Sequence, residues 1–225
     1  MTTKSSGVLY EDLFIGARVY SATAASNTGH YWHLTDTSSA GAPTCATVAT
    51  GRGVAIDLAS TGEVENMCLD HEDVLAFDID NLIDIVFDVE MNQAALDATT
   101  MLAFGLTSER NDAIDTIAEA AIFRVVGADS TTAVVVETDD GTNNNDDVAT
   151  GKTLVNTSKQ FKISFANGTS DVRFFIDGQP VATGTTFDMS NYTGGLQPMI
   201  QIQKTSDTNT DGVTMTSCKV RGRTG

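Results

Sequence analysis

Basic residues are scarce. Lys and Arg number 13 against 30 Asp and Glu, so the formal net charge is 13 − 30 = −17 over 225 residues. A chain this acidic repels phosphate backbones and anionic headgroups, which argues against nucleic acid and membrane surfaces as partners. Cysteine is nearly absent: Cys45, Cys68 and Cys218 are far apart and odd in number. With no CxxC spacing they form neither a disulfide framework nor a zinc site, and they read as small buried thiols. Only 3 prolines and 1 tryptophan occur. No run approaches the ~20 apolar residues of a membrane helix. The first twenty residues, MTTKSSGVLYEDLFIGARVY, lack an apolar signal core, so the expectation is a protein made and used without Sec export. GxSxG, P-loop and GxGxxG motifs are absent, leaving nucleophilic hydrolase, NTPase and dinucleotide readings without support.

What is present is a folded composition, 41% hydrophobic and 19% charged, with 19 glycines to make turns. The acids are uneven. Residues 1–100 hold 15 acids and 3 bases, net −12, and residues 101–225 hold 15 acids and 10 bases, net −5.

From about residue 27 the pattern has period two, the signature of half-buried strands. Strands are expected at 30–36, 45–50, 53–59, 64–70, 74–79, 83–91, 100–107, 120–127, 132–138, 159–167, 171–177, 180–184, 196–204 and 212–221. In the 83–91 strand, Ile83, Ile85, Phe87 and Val89 are expected on one face. Asp177-Gly178 is a hairpin pair, because both positions tolerate positive φ. Residues 111–119 read as one short helix: Asn111 can cap it, and Ile114 and Ile117 share a face. DDGTNNNDD at 139–147 reads as a loop. Many short strands without βαβ alternation mean an all-β antiparallel sandwich or barrel. Residues 1–20 are expected to be an N-terminal arm or first strand, and residues 21–225 a single domain.

Two runs carry a family resemblance. FKISFANGTSDVRFFIDGQPVATGTTFDM and LQPMIQIQKTSDTNTDGVTMTSCKVRGR resemble the C-terminal half of a concanavalin A-like (laminin G-like) jelly roll. HYWHLTD and VLAFDIDNLIDIVFDVEMN resemble its front-sheet strands. The resemblance covers residues 27–222 and is strongest to jelly rolls of tailed-phage virion proteins. It implies a concanavalin A-like β-sandwich. It also implies a structural virion protein, a capsid decoration (cement) protein on the outer head surface. The alternative is a carbohydrate-binding fibre or tail adhesion module, and a glycanase ranks third.

The residues bear on that choice. Laminarinase-type members carry E-x-D-x-x-E on one strand, and a retaining glycosidase needs two carboxyls about 5–5.5 Å apart. The nearest run here is Asp88, Glu90 and Gln93, whose third position is an amide and cannot act as an acid/base. Glu63 and Glu65 form a second same-face pair with no third acid. Non-enzymatic function is therefore expected. Asp207, Asn209 and Asp211, followed by Gly212, match the start of an oxygen-rich calcium loop, although the closing bidentate acid is missing. Asp139, Asp140, Asp146 and Asp147 with Asn143, Asn144 and Asn145 are a second candidate. His30 and His33 point to opposite faces of a strand. His71, in DHED, reads as a loop histidine on an acidic surface. Tyr31 and Trp32 are candidates for stacking on a sugar, with burial of Trp32 the expectation. Leu9, Tyr10, Leu13, Phe14 and Ile15 are the expected contacts of the arm with a major capsid protein, another virion protein or a sister subunit. A homo-oligomer is expected, a trimer suiting a capsid three-fold position.

Overall fold

The computed structural model describes residues 5–20, 30–49, 51–72 and 75–224. Sixteen strands occur among them: β1 (Ser5–Asp12), β2 (His33–Asp36), β3 (Thr44–Thr47), β4 (Val54–Asp57), β5 (Glu65–Asp70), β6 (Phe77–Asp78), β7 (Leu82–Met91), β8 (Thr100–Thr107), β9 (Glu119–Val126), β10 (Ala133–Asp140), β11 (Asn144–Thr153), β12 (Lys159–Ser164), β13 (Arg173–Ile176), β14 (Gln179–Val181), β15 (Gly195–Lys204) and β16 (Gly212–Thr224). They form two antiparallel sheets. Sheet I runs β14-β13-β12-β7-β16-β4-β3, with β1 also on β16; sheet II runs β11-β10-β9-β8-β15-β5-β2, with β6 on β15. Among the described residues no helix is long and apolar enough to cross a membrane.

The period-two pattern builds the layers directly. On β7, Ile85, Phe87, Val89 and Met91 are buried, and Ile83, at the strand's start, is only half-buried. Asp84 is buried instead, its carboxylate held by the Arg221 guanidinium, with Nε donating at 2.7 Å. Phenylalanines join the sheets edge to face. Phe104 of β8 meets Phe161 of β12 at 4.8 Å, and Phe123 of β9 meets Phe161 at 5.0 Å and Phe174 of β13 at 5.2 Å. Such pairs add roughly 0.5–1.5 kcal/mol each beyond the area they bury. The β13–β14 hairpin turns at Asp177-Gly178 with φ of 50° and 74°, as expected from the residue pair.

Three expectations are corrected, and one open alternative takes a definite form. The helix at 111–119 is only a 3-10 turn, Ile114–Thr116; Asn111 Oδ1 accepts from the Ala113 N–H at 3.0 Å in a local turn and caps no helix. The loop at 139–147 is the tip of a hairpin whose second strand, β11, carries too few apolar residues to announce itself. Of the two readings of the N-terminal segment, arm or first strand, residues 5–12 are the strand, paired with β16 from Ser5↔Thr224 to Asp12↔Cys218. His71 is buried, its ring 4.6 Å from Trp32 and 4.9 Å from Tyr10.

Candidate functional site

Alternation on sheet II leaves an outer face opposite the main core. Core-facing Met67, Leu69, Leu102, Phe104, Phe123, Ile200 and Ile202 alternate with Asn66, Cys68, Asp70, Met101, Ala103, Ile122, Arg124, Met199, Gln201 and Gln203. Pairing aligns these in rows across the sheet. Cys68, Gln201, Ala103 and Arg124 form one row, and Asn66, Gln203 and Met101 the next.

The connection between β8 and β9, residues 108–118, folds back over this face as a strap. Its Ile114 and Ile117, each 1% exposed, complete a separate apolar cluster with Cys68, Ala103, Ala120, Ile122 and Met199. Burying two such side chains stabilises the closed arrangement by about 3–6 kcal/mol as an upper figure. Its base is closed by Ser108 Oγ donating to Glu119 at 2.7 Å.

Polar ties hold the rest. Asp112 Oδ1 accepts from Thr37 Oγ1 at 2.9 Å and from Asn66 Nδ2 at 3.0 Å. Gln201 Nε2 donates to the Asn111 carbonyl at 3.0 Å. Arg124 Nη2 lies 2.5 Å from Asp115. Arg124 Nη1 pairs with Glu137 of β10 and reaches Asp147 of β11 at 3.4 Å. Burial alone would lower the Arg124 pKa; the Glu137 carboxylate, with Asp115 and Asp147, outweighs it and raises it. Burial also raises the pKa of Glu137 against the pull of Arg124, and that of Asp147 in the same way.

Most buried polar atoms in folded proteins find partners. Among the described residues ten buried side-chain polar atoms have none, and five of them gather here: Asn66 Oδ1, Thr107 Oγ1, Arg110 Nε, Arg124 Nε and Gln201 Oε1. A recess of about 410 Å³ opens at the end of this face, with Asn66, Met101, Asp112, Gln203 and the exposed Val64 on its walls.

The sequence-predicted groups lie elsewhere. Asp88 and Glu90 stand on β7 of sheet I, not on this face. Asp88 Oδ2 accepts from Ser217 at 2.5 Å, and Gln93 Oε1 accepts from the Gly212 N–H at 3.0 Å. Glu63 precedes β5, and Glu65 is fully buried with Lys204 Nζ at 3.5 Å. On the sheet itself, Asp70 and Glu137 share a row but stand four strand spacings apart, roughly 19 Å. Neither glycosidase geometry spans that distance. Asp115 and Glu137 come closer, with the Arg124 guanidinium bound to both.

The calcium-loop residues are engaged by turn bonds. Asp207 Oδ1 accepts from the Thr208 and Asn209 N–H groups, Asn209 Oδ1 from Thr100 at 3.3 Å, and Asp211 Oδ2 from the Asp97 N–H at 2.7 Å. In the second acidic loop, Asp140 accepts from Thr142, Asn143 and Asn191, and its pKa is lowered: burial would raise it, and those backbone donors prevail. Among the described residues no group of three or more His, Cys, Asp and Glu is placed to hold a metal ion.

Phe14 is fully buried and Tyr10 is partly buried against the core, so these two members of the expected contact set belong to the fold. Leu9, Leu13 and Ile15 remain exposed, with Val8 and Val19 beside them. Trp32 is buried as expected, its indole donating to Asp12 at 3.1 Å, and Tyr31 is half-exposed. His30 reaches the Val19 carbonyl at 3.2 Å, and His33 pairs with Glu72 at 3.2 Å. Sequence reasoning missed Asn66, Arg124, Glu137 and Gln201. The available signal was a lone arginine in the apolar strand AAIFRVVG and the alternating glutamines of QIQK.

No protein-family model and no curated protein matches this chain. Solved structures do. The chain is similar to a laminarinase from Flavobacterium sp. UMI-01, with TM-score 0.64, 11% identity and 95% and 99% of the two chains covered. It is similar to the Emp47p carbohydrate recognition domain, with TM-score 0.60, 10% identity and 96% of each chain covered. It is also similar to a carbohydrate esterase from the Shiga toxin-encoding bacteriophage phi24B, with TM-score 0.53, 15% identity and 98% and 100% covered. The two-sheet sandwich is thus a concanavalin A-like jelly roll, a fold it shares with carbohydrate recognition domains and glycanases.

Proposed function

We propose that the protein is a non-catalytic carbohydrate-binding module of a tailed-phage virion, and that the outer face of sheet II is where it binds. The observation that carries this reading is the chemistry of that face: buried amides with unpartnered polar atoms, and an arginine whose guanidinium engages the neighbouring carboxylates Asp115, Glu137 and Asp147. Amides beside apolar side chains suit sugar hydroxyls and ring faces. The similarity to carbohydrate recognition domains, and to one phage protein that acts on carbohydrate, supports the reading. A glycan array reads it. The wild-type chain retains a subset of glycans, Asn66→Leu loses them, and no reducing ends are released. A chelator arm shows whether calcium at Asp207, Asn209 and Asp211 contributes; one carbohydrate recognition domain among the similar structures is a potassium-bound form.

A second reading, capsid decoration, is favoured by the exposed apolar residues Val8, Leu9, Leu13, Ile15 and Val19 of the N-terminal segment, whose strand β1 pairs with β16. In that role these residues pack on a major capsid protein and the chain works as a trimer. Leu9→Glu with Ile15→Glu then abolishes co-sedimentation with particles and leaves glycan retention intact.

A further inference from the structure

An amide offers a donor at one end and an acceptor at the other. Asn66 and Gln201 are 6% and 0% exposed and lie in neighbouring rows of the outer face. Their donor ends are met by the strap, Asn66 Nδ2 by Asp112 Oδ1 and Gln201 Nε2 by the Asn111 carbonyl, both at 3.0 Å. These bonds fix which end of each amide is nitrogen. Their acceptor ends, Asn66 Oδ1 and Gln201 Oε1, meet no donor. The strap supplies a carboxylate and a carbonyl at these positions, and neither has a proton to give. It is half of a complement to this face.

A hydroxyl both donates and accepts. Neighbouring hydroxyls on a sugar ring can therefore serve an amide at both ends. A carboxylate or phosphate repeats the strap's shortcoming, and it would also meet Glu137 and Asp147, which already flank Arg124 and stay with the sheet when the strap lifts. We propose that residues 108–118 are a displaceable strap that stands in for the ligand, and that the ligand is a neutral polyhydroxylated sugar whose hydroxyls engage both ends of Asn66 and Gln201 once the strap lifts. The inference rests on the carbohydrate-binding reading above and adds the ligand's charge class and the means by which access is controlled.

The hold of the strap on the sheet is separable from the sheet's own polar groups. Ile114→Ala with Ile117→Ala weakens the plug and leaves Asn66, Gln201 and Arg124 in place. Asp115→Asn weakens the tie to Arg124 without opening the apolar cluster, and it serves if the alanine pair does not fold. Apparent affinity is reduced by the fraction of molecules that are open, so a loosened strap binds more tightly by about tenfold or more. The experiment pairs amide hydrogen exchange over residues 108–118 with titration on an array of neutral and acidic glycans. Faster exchange in the strap, tighter binding of neutral glycans only, and loss of that gain on adding Asn66→Leu are the expected results. A gain confined to acidic glycans overturns the ligand class. Neutral-glycan affinity equal in wild type and loosened variants overturns the strap as stand-in and leaves the carbohydrate-binding reading standing. Failure of every variant to bind any glycan removes that reading itself.

Discussion

Arg124 of β9 and Asp115 of the strap lie 2.5 Å apart, and the same guanidinium, 3% exposed, also pairs with the buried Glu137 of β10. One cation thereby ties the covering segment to two strands of the sheet beneath it. Removing one partner of such a pair leaves the other charge buried and unpaired, at about 3–5 kcal/mol. Arg124→Met should therefore lower unfolding stability by that order, as read by urea denaturation. Arg124→Met combined with Glu137→Leu should recover most of the loss, because no uncompensated charge remains.

Lys204 makes a second prediction. Its ammonium is fully buried, 3.5 Å from Glu65, and donates to the carbonyls of Ala59 at 2.5 Å, Thr61 at 2.9 Å and Asn209 at 3.1 Å. One ammonium thus anchors the loops at 58–62 and 205–211, including the candidate calcium loop. Lys204→Met should cost about 3–5 kcal/mol and accelerate amide exchange in both loops. Loss of stability without faster exchange there would show that the anchoring is not local.

Two neighbouring residues give pH dependences of opposite sign. Burial lowers the His71 pKa from 6.5 to about 4, and its Nε2 has no partner. Between those values the unfolded chain binds the extra proton, so the His71 contribution makes stability rise with pH. Burial raises the Asp70 pKa from 3.8 to about 6. Between those values the folded chain binds the extra proton, so the Asp70 contribution makes stability fall with pH. Each is worth on the order of 3 kcal/mol at full shift. Relative to wild type, His71→Phe should gain stability as pH falls from 6.5 to 4. Asp70→Asn should gain it as pH rises from 3.8 to 6. Urea midpoints across pH 3.5–7 read both.

The N-terminal segment is part of the sandwich, which changes what truncation does. Phe14 is fully buried with its ring tilted against Trp32 at 5.4 Å, and the Asp12 carboxylate accepts from the Phe14 N–H at 2.7 Å and from the Trp32 indole. Phe14→Ala should cost about 3–5 kcal/mol. Removal of residues 1–20 should lower the melting temperature rather than free an independent arm; an unchanged melting curve would return the segment to the status of an arm.

Much of the fold was legible because hydrophobic alternation is a local signal. The 100–107 strand coincides with β8, and Asp177-Gly178 turns where the residue pair requires. The errors have physical causes. Ile114 and Ile117 share a face in a 3-10 turn as they would in an α-helix, so their spacing could not distinguish the two. β11 is an edge strand held by its ladder to β10, and its NNDD start carries turn composition. His71 looked solvated because its sequence neighbours are acidic, yet Tyr10 of β1, Phe77 of β6 and Trp32, just before β2, enclose it. The candidate site was illegible for a different reason. Asn66, Gln201 and Arg124 come from three strands, and only sheet register places them in adjacent rows.

Amide hydrogen exchange with and without a neutral glycan selected from the array addresses the central claim most directly. Binding on the outer face of sheet II predicts that the change concentrates in β5, β15 and residues 108–118, and that Asn66→Leu abolishes it. A glycan-dependent change confined to residues 8–19 or to the 205–211 loop, with sheet II unaltered, would contradict it.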